Sequence, residues 1–500
     1  MNDDGHRAPE GSESHRSTTD RAGRGEGPAG LPWRAPAFWA LLLLALSVRI
    51  GCALWVTHPE LRRGEFAFTA ADEATYHAVA ATWADTGRYA RHPNGPPTAY
   101  RTPGYVLPLA VLYRLFGPRR VLGLVLSLLF GVALVVAAGQ LAAELWPRRG
   151  AVWLALLLAA LAPSLVRYSA YALSDTLATW TALAGLAALA RWHRVRRTPG
   201  LVGAGLWWGW SYLTRPSGGT LLACLLLWMV WQRPWAQALR GAAVCAATVG
   251  LCVLPWAVRN YVALGIFTPG SSLTGIGLWL ANNPVTAGLQ PPTDAFGGPI
   301  GNLPLGFFRG APTPPAYAPG ARDIFAPGLT EWEQHQRAKA HLRRFAREHP
   351  AALVRCLLYK LEAFVLGREP SREVFTTGAD SGGFELKARP VAPVESARHR
   401  LATVLWKGER WLVVLAGVLG LGALFRRSRP LGWLALCAVL GTLVFMFMAT
   451  PLSRYFMPGT AALLVAAAGL VGEPRRAGAR PGPGDRDVEA VEEVRAEAHG

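Results

Sequence analysis

Long apolar runs almost free of charge alternate along this chain with short loops in which arginines cluster, a pattern that predicts spanning helices rather than globular layers. Such runs fall at 36–57, 121–143, 151–167, 176–190, 198–214, 216–232, 241–258, 411–425, 430–450 and 455–472. They predict an all-α polytopic membrane protein with about ten transmembrane helices, in a range of about nine to thirteen. Two further apolar stretches read differently. In 104–116, counting the run as a span inverts every later loop, so it is expected to lie in the outer interface. In 72–86, Tyr76, Val79, Ala80 and Trp83 share one helical face and Gly87 follows as a stop, which predicts a second interfacial helix.

Orientation follows from the short loops. Those at 144–150, 191–197, 233–240 and 426–429 hold eleven arginines, whereas the loops on the other side hold two, Arg215 and Arg454. Cytoplasmic loops collect Lys and Arg, so both termini are expected in the cytoplasm. Residues 58–120 and 259–410 then form a first and a large outer loop within one membrane domain, 36–472. The polar stretches 1–35 and 473–500 read as disordered cytoplasmic tails. Within the large outer loop, 267–328 is rich in Gly and Pro, reads as irregular chain and suits a lid. Thr330 with Glu333 makes a capping box for a helix through Trp332, Leu342 and Phe345, ended by His349–Pro350. Residues 351–366 mix apolar positions with Arg355, Lys360 and Glu362, which favours the headgroup plane. Neither an internal repeat nor an inverted pair of broken helices is visible.

Composition narrows the function classes. A formal charge of +19 accompanies 51% apolar residues, and mean hydropathy is +0.22. Both tails are slightly acidic, so the positive charge belongs to the membrane part, where cytoplasmic loops and headgroups account for it without nucleic acid. The six cysteines lack metal-ligand spacing and read as small core residues. No Gly-rich phosphate loop or serine nucleophile elbow appears, which argues against the usual ATPases and hydrolases.

The polar residues left over gather at the outer helix ends. Asp72 and Glu73 open the first outer helix and Asp175 opens the fourth span. Each reads either as a helix-start charge or as an acid able to take a proton from an acceptor hydroxyl. Arg101, Arg215, Arg259 and Arg454 lie at the same level, and Arg49 lies inside the first span. Guanidinium groups at such depths pair with acids, anchor the chain, or converge on a phosphate that their planar forks match. His77 and His92 lack the spacing and partners of a metal site, so no metal ligand is assigned, with a divalent ion left open.

These positions sit in an ordered series of motifs: DEATYHAVAATWADTGRYA, TAYRTPGYVLPLAVLYRLFG, LSDTLATW, GLWWGWSYLTRPSG, PWAVRNYVALGIF, GLWLANNP and PLSRYFMPGTAALL. The series, from about residue 36 to 472, resembles bacterial glycosyltransferase family 39, related to the dolichyl-phosphate-mannose protein mannosyltransferases and the lipid A aminoarabinose transferases. The resemblance implies a GT-C membrane fold that moves a sugar from a polyprenyl-phosphate donor to a lipid, glycan or protein acceptor. It further implies the outer face of a bacterial cytoplasmic membrane, with no nucleic-acid partner and no established cofactor. By the same resemblance Asp72 is catalytic with Glu73 beside it, and Asp175 is a second functional acid. Arg101 stands where the aminoarabinose transferases have a Lys before Pro, and Arg454 matches a late basic residue near the donor phosphate. Arg215 and Arg259 join these as phosphate-binding candidates, and Tyr76, Tyr100, Tyr105, Asn282, Asn283 and Tyr455 are expected to line the substrate pocket. The competing class is a lipid-linked-sugar flippase, which needs many spans and intramembrane arginines but no carboxylate base.

Overall fold

The computed structural model describes residues 30–58, 61, 62, 64, 71–282, 324, 326, 328–365, 374–377, 386–389, 397–449 and 453–471. Residues 1–29 and 473–500, most of the two expected tails, and most of the expected irregular stretch 267–328 lie outside them. Each of the ten stretches picked out by hydropathy contains a helix. In chain order the helices are α1 (Pro36–Cys52, prolonged by a wider turn Ala53–Thr57), α2 (Ala71–Thr86), α3 (Pro103–Phe116), α4 (Val121–Leu145), α5 (Arg149–Leu161) and α6 (Pro163–Ser169). They continue as α7 (Asp175–Val195), α8 (Thr198–Thr214), α9 (Gly218–Val230), α10 (Trp235–Leu264) and α11 (Leu273–Ala281). After α11 come α12 (Glu331–Glu348), α13 (Pro350–Val365), α14 (Ala397–Arg427), α15 (Arg429–Met448), a 3-10 turn Ser453–Phe456 and α16 (Met457–Ala468). Two short strands, Val374–Thr377 and Leu386–Arg389, pair antiparallel with Val374 opposite Arg389.

Among the described residues five helices are long and apolar enough to cross a membrane: Pro36–Thr57, α4, α10, Gly408–Arg427 of α14, and α15. The pair α5 and α6, bent by 53°, passes the same test together, whereas α3 and α9 are apolar but shorter. Helices α4, α5, α7, α8, α14 and α16 share one core containing Leu134, Leu156, Leu183, Trp208, Leu424 and Val465. Apolar side chains also remain exposed on outward faces, Leu227 and Leu251 each at 69% and Val262 at 79%. In a membrane those faces meet lipid, which is as apolar as they are. Small residues allow the closest helix crossings. At Gly420 of α14 a Cβ would stand 2.3 Å from the Ala466 carbonyl of α16, so only glycine permits that approach.

Three features depart from the sequence reading. Within 267–328, Leu273–Ala281 is a helix, because its apolar run finds a partner. Ile276 and Trp279 are buried with Ala338 of α12 and Ile324. In α13, Lys360 is fully buried, so this lysine is not a headgroup cation; it finds carbonyl partners inside the protein. The third departure is the broken helix α5/α6. Pro163 starts α6 after a turn at Ala162, leaving carbonyls at the end of α5 and amides at the start of α6 without helical partners. Arg49 of α1 donates to Ala159 O at 3.0 Å and Ala160 O at 2.9 Å. On the other side of the break Glu409 of α14 accepts from Ser164 N at 2.6 Å and Ser164 Oγ at 2.8 Å. A guanidinium thus sits on a helix C-terminus and a carboxyl group on a helix N-terminus, each placed to bond the free backbone groups of its helix end.

The expected face of α2 is present, with Tyr76, Val79 and Ala80 buried and Gly87 at φ +71° ending it. The capping box of α12 is formed as well, Glu333 N donating to Thr330 Oγ1 and Thr330 N to Glu333 Oε2.

Candidate active site

Helix α3 brings the first arginine into place. Gly104 lies against the end of α8 so closely that a Cβ there would stand 2.4 Å from Thr214 N and 2.6 Å from Leu213 C. Arg101 precedes this contact and Arg215 follows it, so the missing side chain at 104 draws both cations to one site. Gly104→Ala is expected to force the two helix ends apart. It should cost about 1–3 kcal/mol of stability. Thermal unfolding checks this, and a wild-type melting profile would contradict the close packing.

At the start of α2, Asp72 is held from both sides. Its Oδ1 accepts from Arg101 Nη2 in a short ion pair, and its Oδ2 accepts from Arg454 Nη2 at 2.8 Å. Arg101 is fixed further by Nε donating to Thr75 Oγ1 at 2.9 Å, and its guanidinium lies over Tyr76 at 4.6 Å and Tyr100 at 5.2 Å. Burial alone would raise the Asp72 carboxyl, but the Arg101 and Arg454 guanidiniums outweigh it and hold the group well below the ordinary carboxylate range. The Arg101 guanidinium is correspondingly raised, burial being outweighed by Asp72.

A second acid–arginine pair stands beside the first. Asp175, at the start of α7, is not a helix cap; its Oδ1 accepts from Arg215 Nη1, and its buried Oδ2 has no hydrogen-bond partner among the described residues. Tyr455 joins the two pairs, with Arg215 over its ring at 4.8 Å and Arg454 at 5.3 Å. Arg454 Nε is also buried without a hydrogen-bond partner among the described residues. Three arginines and two aspartates therefore stand together with one positive charge in excess, and polar atoms remain open to a further anion or hydroxyl.

Other sequence candidates are placed differently. Glu73 turns inward, accepting from Ala172 N at 2.8 Å with His58 Nε2 at 3.9 Å, and so joins α2 to the segment before α7. Tyr76 shares a 2.7 Å hydrogen bond with Ser174 Oγ. Tyr105 donates to Gly123 O at 3.0 Å and packs edge-on to Tyr76. Arg259 is occupied by backbone, donating to Thr98 O at 2.7 Å and Tyr89 O at 2.8 Å, which ties α10 to the segment between α2 and α3. Asn282 bonds Leu278 O, Met448 O and Lys360, and Asn283 lies outside the described residues. His77 shares a 2.9 Å hydrogen bond with Tyr113 OH.

Sequence reasoning missed Thr75, Arg91 and Glu331. Thr75 is one turn beyond Asp72 on the same helix, a spacing that points to it. Arg91 lies over Tyr100 at 3.8 Å and pairs with Glu331 at 3.1 Å. Glu331 also accepts from Thr98 Oγ1, Ala99 N and Ser272 Oγ, linking the segment between α2 and α3 to that before α11; capping-box spacing marks its neighbour Glu333, whereas no local signal marks Glu331.

Residues 100–258 match the sequence model of the family described as dolichyl-phosphate-mannose-protein mannosyltransferase. No curated protein matches the chain. Among solved structures, it is similar to the archaeal oligosaccharyltransferase AglB of Archaeoglobus fulgidus, in complex with an inhibitory peptide and a dolichol-phosphate. That likeness has 15% identity and a TM-score of 0.48, covering 87% of this chain and 50% of the other. ArnT of Cupriavidus metallidurans bound to undecaprenyl phosphate is similar at 16% identity and TM-score 0.40, over 87% and 78% of the two chains. Arabinosyltransferase EmbB of Mycobacterium smegmatis follows at 15% identity and TM-score 0.34, over 90% and 43%. The chain thus spans about half the length of the archaeal protein. The stretch similar to the dolichyl-phosphate-mannose-protein mannosyltransferase family, residues 100–258, bears Arg101, Asp175 and Arg215.

Proposed function

We propose that the protein transfers a sugar from a polyprenyl-phosphate-linked donor to an acceptor hydroxyl at the outer face of a bacterial cytoplasmic membrane. The observation that carries this reading is the Asp72 carboxylate bridged by Arg101 and Arg454. Outward orientation rests on the excess of arginines in the opposite loops and on the site's position at the helix ends facing away from them.

In the reaction the acceptor oxygen attacks the anomeric carbon and the bond from that carbon to the phosphate oxygen breaks, inverting the configuration. The hydroxyl proton passes to Asp72, and the polyprenyl phosphate leaves with the bonding pair. Asp72 loses its charge as the phosphate gains one, so Arg101 and Arg454 can follow the charge from carboxylate to phosphate. Arg215, held by Asp175, stands ready as a third donor. A carboxylate this acidic is a weak base at the outset. Proton transfer therefore belongs late in the reaction, when the attacking oxygen has already lost electron density to the sugar. Tyr76, Tyr100 and Tyr455, which carry the arginine faces, would border the sugar.

The test is transfer of labelled sugar by purified protein in liposomes from a panel of polyprenyl-phosphate sugars. Turnover of at least one donor is expected, with Arg454→Gln raising its KM about tenfold or more, the scale of one charge-assisted hydrogen bond to phosphate. Lipid moving between leaflets with no donor consumed would replace this reading by the flippase.

A further inference from the structure

The last turn of α15 is capped by residues far from it in sequence. Asn282, after α11, donates from Nδ2 to Met448 O at 2.6 Å, and Lys360 of α13 donates to Phe447 O at 2.7 Å. Lys360 Nζ also donates to Asn282 Oδ1 at 2.6 Å, so the two side chains act as one unit. Lys360 is fully buried and Asn282 is 5% exposed. Carbonyls at a helix C-terminus lack helical partners, and a cation there is favoured by the dipole. The same turn reaches the active site through Phe445, whose ring meets Tyr455 edge-on with centroids 5.4 Å apart. Tyr455 in turn lies under both Arg454 and Arg215.

We propose that Lys360 and Asn282 are positioning residues, which set Arg454 and Arg215 against the donor phosphate by fixing the end of α15 and, through Phe445, the ring of Tyr455. This rests on the reading of Arg454 as a phosphate ligand. A long, flexible amine buried at this place joins the large outer loop, through α11 and α13, to the last turn of α15, ahead of the turn that bears Arg454. Exposed ion pairs contribute little to such joints, but a buried amine with two carbonyl-type acceptors fixes a geometry.

The test measures binding of undecaprenyl phosphate to the purified full chain in detergent micelles, together with donor KM and kcat in liposomes. Thermal unfolding serves as the fold control. Lys360→Met should weaken undecaprenyl phosphate about tenfold and raise donor KM more than it lowers kcat, whereas Lys360→Arg should recover most of the affinity. Phe445→Leu leaves the polar cap intact and should weaken binding by a similar factor, so the proposal does not depend on how well Lys360→Met folds. Combined with Arg454→Gln, Lys360→Met should add little further loss, because both act through one group. Fully additive losses, or a silent Phe445→Leu, would overturn the coupling while leaving Arg454 as a ligand. An unchanged affinity in Arg454→Gln alone would overturn both this proposal and the ligand role beneath it.

Discussion

Asp72→Asn should lower sugar transfer about 10²–10⁴-fold, the usual contribution of a positioned general base, in a protein that still folds. The amide keeps the shape and one acceptor oxygen for Arg101 or Arg454 but cannot take the proton. The sign of the effect on binding separates a base from a binding residue. With the carboxylate gone, two guanidiniums lose their anionic partner, and phosphate no longer competes with it for them. Undecaprenyl phosphate should then bind at least as tightly to Asp72→Asn as to the wild type while kcat falls. Transfer within tenfold of wild type by a folded variant would remove Asp72 from the role.

The same pairing sets the pH dependence. Because Arg101 and Arg454 outweigh burial and depress the folded-state value of Asp72, its stabilising contribution is present above the ordinary carboxylate value of about 4 and is lost as pH falls through the lower folded value. Asp72 is thus ionised at every working pH. The kcat/KM profile should carry no acid limb from this group above about pH 4, and an acid limb that disappears only in Asp72→Asn would contradict the arginine-held carboxylate.

The largest stability effect is expected at Arg49. Arg49→Met leaves the carbonyls of Ala159 and Ala160 at the end of α5 without their donors, inside a core with no water to replace them. Each buried acceptor left alone costs about 1–3 kcal/mol, so about 2–6 kcal/mol is expected. Arg49→Lys should recover only part of it, since an ammonium lacks the fork that serves two carbonyls together. Activity should fall too, because α6 leads into Ala172, which holds Glu73, and into Asp175. Unfolding measured in detergent for the three proteins decides the matter: equal stability of Arg49→Met and wild type would mean that the break needs no cap. Glu409→Gln should be milder, as the amide retains an acceptor for Ser164 N.

How much of this is legible in the sequence differs by level. The helices at 36–57, 121–143 and 430–450 follow from the length and charge-free character of each run, as do the amphipathic face of α2 and the capping box of α12. Asp72, Asp175, Arg101, Arg215 and Arg454 are recognisable as charges out of place beside a membrane and as members of an ordered motif series. Arg259 and Asn282 carry the same signal, yet backbone carbonyls and Lys360 engage them. A charge or an amide near an apolar run announces a partner without saying whether it is substrate or protein.

Hydropathy and helix caps are properties of neighbouring residues, so the chain alone determined where helices form and which faces are apolar. Partnership between charges is not local: Arg454 reaches Asp72 across 382 positions and Lys360 reaches Phe447 across 87. Only the packed structure decided that two arginines share one carboxylate, that Glu73 turns away from them, and that a lysine expected among headgroups closes the end of a helix. The reason is energetic, because a buried charge is stable only where its partner is, and that place is set by the packing of helices the local sequence does not encode.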